Sequence, residues 1–301
     1  MTTLAPAVRS ALFVPGHRRD FLAKVDNSAA DAVILDLEDG VHAERRGEAR
    51  EAVTEWLADR TPDRRPIAFV RVNPVSVADL EADLTAAVHP ATTAILIPKV
   101  TSADDVRTVA EAAAHAEGRR GLPLGSVLLW PLIETAESIL RAESIFKASS
   151  RVAYAGGGTA RGGDLARALG LQTTVDGIET LHLRSHLLVV ARAAGVANPM
   201  TGIHTAIDDL EGLRRFASSS RGIGYEGMMV IHPTHVETVN EVFHISDEQI
   251  AHAREIVRAL EAAGSDGHGA VRVDGEMVDV TMATTARQLL ERLGEDQRMP
   301  E

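Results

Sequence analysis

The chain has 301 residues, 45% hydrophobic and 25% charged, at a net charge of −12. That is enough to bury a large core as one big domain or two ordinary ones, but too acidic to present the basic surface a nucleic-acid partner requires. Cysteine is absent, which removes disulfides and thiolate zinc sites and accords with a reducing, cytoplasmic setting.

The opening MTTLAPAVRS carries no apolar signal core, and no apolar run nears the ~20 residues of a membrane helix, so no membrane partner is expected. Apolar runs then recur along the chain: SALFVP (10–15), AVILDLE (32–38), IAFVRVN (67–73), AILIPKV (94–100), VLLWPLIE (127–134), RVAYAGG (151–157), NPMTGI (198–203) and GMMVIHP (227–233). NPMTGI is the weakest of these, being short and broken by proline. The intervals read as helices. SADDVRTVAEAAAHA (102–116) is capped by Ser102 with acids in its first turn, and TLHLRSHLLVVARAAG (180–195) is ended by Gly195. Eight near-continuous apolar strands alternating with helices predict a parallel (β/α)8 barrel, a TIM barrel, over 1–245. A doubly wound open sheet is the runner-up.

The pattern changes over 246–301. Ser246 and Gln249 form a capping box ahead of an amphipathic helix. SDGHG (265–269) follows as a hinge, then two short strands about an Asp274-Gly275 turn and a last helix to about residue 293. This segment reads as an appendage to the barrel.

In a barrel, chemistry sits beyond the carboxyl ends of the strands. Here those ends are polar: Pro15-Gly16-His17, Glu38-Asp39, Arg71-Val72-Asn73, Lys99, Glu134 and His232, with the sixth run emptying into GGGTARGGDL and Asp164. Converging carboxylates without cysteine suggest oxygen ligands for a hard divalent cation, Mg2+ before Mn2+. An arginine beside them suits a bidentate grip on a carboxylate, and together they suit a 2-oxo acid. Taken singly, each strand-end acid reads as a helix cap or an ion-pair partner. Asp36, inside its run, reads as a buried, satisfied polar group, and His232 as a core or loop histidine. His42, His89, His115, His182, His186, His244 and His252 read as surface. The glycine stretch matches neither a P-loop nor a dinucleotide fingerprint, yet glycine amides at a helix start leave a phosphate cradle open.

RSALFVPGHRRDFLAKV, DAVILDLEDGVHAERRGEAR, VRVN, ILIPKV, PLIETAESI, DLARALG, VIHPTHVETVNEVF and DGEMVD, in this order, resemble the citrate lyase beta-subunit-like group of the HpcH/HpaI aldolase superfamily, from about Arg9 to Asp279. The resemblance implies a TIM barrel with a C-terminal lid, assembled as homotrimers or hexamers. It also implies a Mg2+-dependent carbon–carbon lyase acting on a 3-hydroxyacyl-CoA such as malyl-, citramalyl- or citryl-CoA, with a 2-oxo acid as the other partner. By its motifs Glu134 and Asp164 hold the metal, Arg71 holds the oxo-acid carboxylate, and Asp279 is the lid acid. Pro15, Gly16, Phe21 and Lys24 serve CoA. The sequence departs from the group's usual pattern in its longer glycine stretch, in Met228 and in His235. Two other functions compete: a metal-dependent aldolase on free oxo acids without CoA, and a CoA-ester-binding subunit without turnover.

Overall fold

The structure, a computed structural model, describes residues 5–157, 159–172, 174, 177–265 and 269–293. It divides into two compact units, Met1–Phe243 and His244–Glu301. The first unit is a closed barrel in which parallel strands pair in sequence order: β1 (Ser10–Pro15), β2 (Ala32–Asp36), β3 (Ile67–Arg71), β4 (Thr92–Ile97), β5 (Leu128–Ile133), β6 (Tyr154–Gly157), β7 (Asn198–Thr201) and β8 (Gly227–Val230), with β8 closing on β1. Helices fill the intervals, as a right-handed strand–helix–strand crossover requires.

Alternation along each strand divides the core in two. Ala32, Ile34, Ile67, Phe69, Leu96, Trp130, Leu132 and Tyr154 face inward and pack with one another. Val33, Leu35, Ala68, Val70, Ile95, Leu129 and Ile133 face outward, in the larger cluster under the helices. Although aromatics are few, three sit together inside the barrel: Phe69 meets the Trp130 and Tyr154 rings edge-on at 5.6 and 4.9 Å. They fill a volume that aliphatic residues would fill less densely.

The predicted strands all form, NPMTGI included. Pro199 cannot donate to the ladder, but its carbonyl accepts from the Glu226 amide at 3.0 Å. The helix expected over 102–116 runs Ala103–Arg120, because nothing breaks it before Gly121 adopts the left-handed conformation at φ 67. At its start Ser102 and Asp105 form a reciprocal capping box.

The second unit has its own small core. The helix Asp247–Ser265, whose Ser246–Gln249 capping box is present, packs with β9 (Ala270–Val273), β10 (Glu276–Asp279) and the helix Val280–Arg292 through Ile256, Val257, Val273, Val278 and Leu290. The β9–β10 turn is Asp274-Gly275, both at positive φ (47 and 92), as a tight hairpin needs. The expected hinge at 265–269 falls largely outside the described residues.

Candidate active site

The same alternation that sends Phe69 and Trp130 inward decides which polar residues reach the barrel mouth. Continuing the inward parity by one step past the core puts Asp36, Arg71 and Glu134 at the carboxyl ends of β2, β3 and β5. Asp36 and Arg71 are register partners on adjacent strands. The guanidinium grips Asp36 with Nε and Nη2, both at 2.7 Å. Asp36 also accepts from the Glu38 and Gly40 amides at 3.0 and 2.8 Å, so it is the buried, satisfied group its position predicts. Nη1 of Arg71 faces Glu38 at 3.1 Å, and the guanidinium lies 4.8 Å from the Phe13 ring centre. Burial works against the Arg71 charge, but Asp36, Glu38 and Glu134 outweigh it and raise its pKa. The cation is therefore fixed in place before any substrate carboxylate meets it.

Lys99, just past β4, is the hub that a motif-by-motif reading leaves without a role. It holds a left-handed backbone at φ 51, a strained conformation for a residue with a side chain. From there its amide donates to Glu134 Oε2 at 3.2 Å. Its ammonium bonds Glu38, reaches Asp39 at 2.9 Å and stands 3.5 Å from Asp164. Burial lowers the Lys99 pKa, but hydrogen bonds to Glu38 and Asp39 raise it further. Burial raises the Glu38 carboxyl. Asp39, although partly desolvated, is held low by Lys99. The polar ends of runs two and four were the available signal for these residues. Their mutual pairing was not visible, because it links strands about 60 residues apart.

Glu134 is half-buried at the tip of β5. Burial pushes its carboxyl up to about 7, against Arg71 and the Lys99 amide, and the charges of Glu38 and Asp164 act in the same sense as burial. Asp164 opens the helix Asp164–Leu169 behind Gly163 and pairs with Arg167. Glu134 and Asp164 are thus two carboxylates close enough to feel each other's charge, one of them held far from its ordinary pKa. That donor set suits a hard cation that keeps several waters and needs few protein ligands. A different triplet, His252, Glu255 and Asp274 in the second unit, places three ligand atoms within 4.8 Å of one another, but Glu255 and Asp274 are exposed. Exposed acids commonly cluster so without a metal.

The residues matched to CoA lie about β1. Pro15 ends the strand. Gly16 donates to the Asp36 carbonyl at 2.8 Å, and a Cβ there would meet that oxygen at 2.8 Å, so no larger residue fits. Phe21, 42% exposed, lies under the Arg18 guanidinium at 3.7 Å. Asp20 grips the same guanidinium at 2.8 and 2.7 Å, so together they form a flat platform whose charge is paired. Lys24 is exposed on the same helix, Arg19–Val25. Asp279 belongs to the second unit, where Oδ1 accepts the Met282 amide at 3.0 Å and caps the last helix. It is exposed.

Among the histidines, His42, His115, His182, His186 and His244 are exposed, while His89 and His252 are half-buried. His232 shares a 2.8 Å hydrogen bond with Thr234. His235, in contrast, is fully buried, and His204, passed over in the sequence, packs 6.2 Å from it.

Comparisons agree over nearly the whole chain. It is 35% identical over 286 residues to the "Citrate lyase subunit beta-like protein" of Deinococcus radiodurans, covering 94% of this chain and 96% of that one. It is 35% identical over 290 residues to a "(3S)-malyl-CoA thioesterase" of Cereibacter sphaeroides, covering 96% of each. The crystal structure of protein CitE from Mycobacterium tuberculosis, in complex with magnesium, acetoacetate and coenzyme A, superposes with a TM-score of 0.73 at 32% identity, covering 97% of this chain and 100% of that one. A family model for HpcH/HpaI aldolase/citrate lyase matches residues 9–233, the strands and mouth residues just described, and the chain belongs to that family.

Proposed function

We propose that this chain is a Mg2+-dependent carbon–carbon lyase that cleaves a 3-hydroxyacyl-CoA thioester into an acyl-CoA and a 2-oxo acid, or runs the reverse condensation. The observation that carries this reading is that Lys99 joins Glu134, through its amide at 3.2 Å, and Asp164, 3.5 Å from its ammonium, beside a guanidinium already fixed by Asp36. Its support from relatives is the CitE structure holding magnesium, acetoacetate and coenzyme A. Glu134 and Asp164 would hold the cation, whose contribution when bound is to polarise the keto oxygen of the oxo acid.

The chain's own residues do the rest. Arg71, held by Asp36 through Nε and Nη2, takes the oxo-acid carboxylate on its Nη1 edge in place of Glu38, which stands 3.1 Å from that nitrogen. Because that cation is preorganised, no reorganisation is needed as charge develops. Lys99 supplies a second fixed positive charge beside Asp164. In cleavage the 3-hydroxyl loses its proton, the C2–C3 bond breaks, and its electron pair becomes the thioester enolate, which is protonated at carbon. Asp279 is our candidate for that proton, supplied, as the family resemblance implies, by the C-terminal lid of a neighbouring subunit in a homo-oligomer, which would keep water from the enolate. The Arg18–Phe21 platform, with Pro15, Gly16 and Lys24, receives the CoA moiety.

Thioester hydrolysis is the second reading, favoured by the relatives named (3S)-malyl-CoA thioesterase. Incubating the protein and Mg2+ with malyl-, citramalyl- and citryl-CoA separates the two. Oxo acid without free thiol supports the lyase, whereas free thiol with intact hydroxy acid supports the thioesterase. Turnover of none of the thioesters would overturn both. Asp279→Ser isolates the lid acid, because serine still caps the helix while losing the carboxylate. We expect an unchanged melting temperature and a turnover drop of about 10²-fold or more, and an unchanged rate would remove Asp279 from the mechanism.

A further inference from the structure

The reaction above uses Lys99 only as a charge beside Asp164 and leaves its other contacts without a purpose. From one backbone position this residue meets four carboxylates. Its amide donates to Glu134 Oε2 at 3.2 Å, while its ammonium bonds Glu38, donates to both oxygens of Asp39 at 2.9 Å and stands 3.5 Å from Asp164 Oδ2. Two of the four, Glu134 and Asp164, are the proposed metal ligands. The side chains of Lys99 and Asp164 are 30% and 19% exposed, so both are reached by the water that carries a hydrated ion.

Carboxylates brought this close repel one another unless a cation lies among them. Arg71 cannot fill that place, because Asp36 takes its Nε and Nη2 and only Nη1 reaches Glu38. The Lys99 ammonium is the charge that joins Glu38, Asp39 and Asp164. It is also anchored. Glu38 is buried, so an ammonium that left it would strand a carboxylate with Arg71 as its remaining partner. Arg167 pairs with the same Asp164, but its side chain is 76% exposed and turns into water at little cost. A magnesium ion bound to Asp164 Oδ2 at its usual ~2.1 Å would therefore stand within about 6 Å of a positive charge that stays in place. Even with the full screening of water, a unit charge and a dication at that distance repel by about tenfold in affinity.

We propose that Lys99 is an internal counter-ion: it takes the place of the divalent cation in the metal-free protein and, anchored by Glu38 and Asp39, limits how tightly the site holds that cation afterwards. The inference rests on the reading of Glu134 and Asp164 as metal ligands, but its test needs no turnover. Dissociation constants for Mg2+ are measured by calorimetry on the full chain at low ionic strength, without substrate, for the wild type, Lys99→Met, Lys99→Gly and Lys99→Arg. Methionine keeps the length of the side chain without its charge. Glycine removes the side chain and adopts φ 51 without strain, so it keeps the amide on Glu134 and stays foldable where methionine does not. Both should bind Mg2+ about tenfold more tightly than the wild type, and K99R within about threefold of it. A residue that merely props the site open would give the opposite sign, since its loss weakens the metal. Mg2+ binding in K99G that is unchanged or weaker overturns the proposal. Arg167→Gln removes the exposed cation from the same carboxylate and should change the affinity by less than about threefold; a gain as large as that of K99G would deny Lys99 its special place. In Asp164→Ala the gain from K99G should vanish, and a gain that persists puts the ion elsewhere and overturns the proposal too. A wild type that binds no Mg2+ sinks the metal-ligand reading together with this one, whereas a wild type that binds it without a gain in K99G sinks this one alone.

Discussion

On the β2–β5 side of the mouth, Asp36, Glu38, Arg71 and Lys99 are joined by short ion pairs, although Glu38 Oε2 makes no hydrogen bond among the described residues. On the β6–β7 side, Thr159 and His204 keep buried polar atoms without partners, and Arg161 stands unpaired among the described residues. The first arrangement costs desolvation but returns most of it as mutual attraction, so it holds its geometry without a ligand. The second has buried polar atoms whose desolvation nothing among the described residues offsets. One side is cross-linked before binding, and the other is not.

The largest test of this contrast is at the proposed metal ligands, Glu134 and Asp164, which adjoin the cross-linked side. Glu134→Ala and Asp164→Ala should each reduce turnover by roughly 10³-fold while leaving the circular-dichroism melt two-state, since neither belongs to the Asp36–Arg71 pair. Next comes the pair itself. Arg71→Met strands Asp36 as an uncompensated buried charge, and chemical denaturation should show a loss of about 3–5 kcal/mol. A loss below about 1 kcal/mol would mean that Asp36 finds other cover.

A smaller effect appears in the metal-free protein. Glu134, at about 7 in the fold against an ordinary 4.5, binds more protons folded than unfolded between those values. Its contribution to stability is therefore present below the lower value and is lost as pH rises through about 7. The melting temperature should fall from pH 5 to pH 8, and Mg2+ should reverse the fall by favouring the carboxylate. A Mg2+ shift as large at pH 5 as at pH 8 would contradict the assignment of Glu134. Smallest is Thr159→Val: replacing an unbonded buried hydroxyl by a methyl of the same shape should leave stability unchanged or raised by under about 1 kcal/mol. A clear destabilisation there would mean that Thr159 is already satisfied and would erase the contrast.

Much of the fold was legible because it depends on local pattern. Alternating apolar runs such as AVILD and IAFVR announced buried parallel strands, Ser102 and Ser246 announced helix starts, and Asp274-Gly275 announced the hairpin. Arg71, Glu134 and Asp164 could be picked out as strand-end residues, since a barrel delivers every such end to one face. Even the weak NPMT strand formed, because closure of the barrel supplies partners on both sides that its own propensity would not secure.

What the chain could not disclose along its length was which of those groups are already spent. Arg71 next to Asp36 in register, Lys99 turned by a left-handed backbone toward Glu38, Asp39 and Asp164, and Arg184 buried beside hydroxyls are pairings between residues far apart in sequence. The sequence by itself determined the barrel, the polar rim and the family motifs, because periodicity and caps are set by neighbours within a few residues. Only the tertiary structure decided that one side of the rim is cross-linked by internal ion pairs while Thr159 and His204 on the other keep buried polar atoms without partners among the described residues, because hydrogen-bond satisfaction is a property of the packed interior.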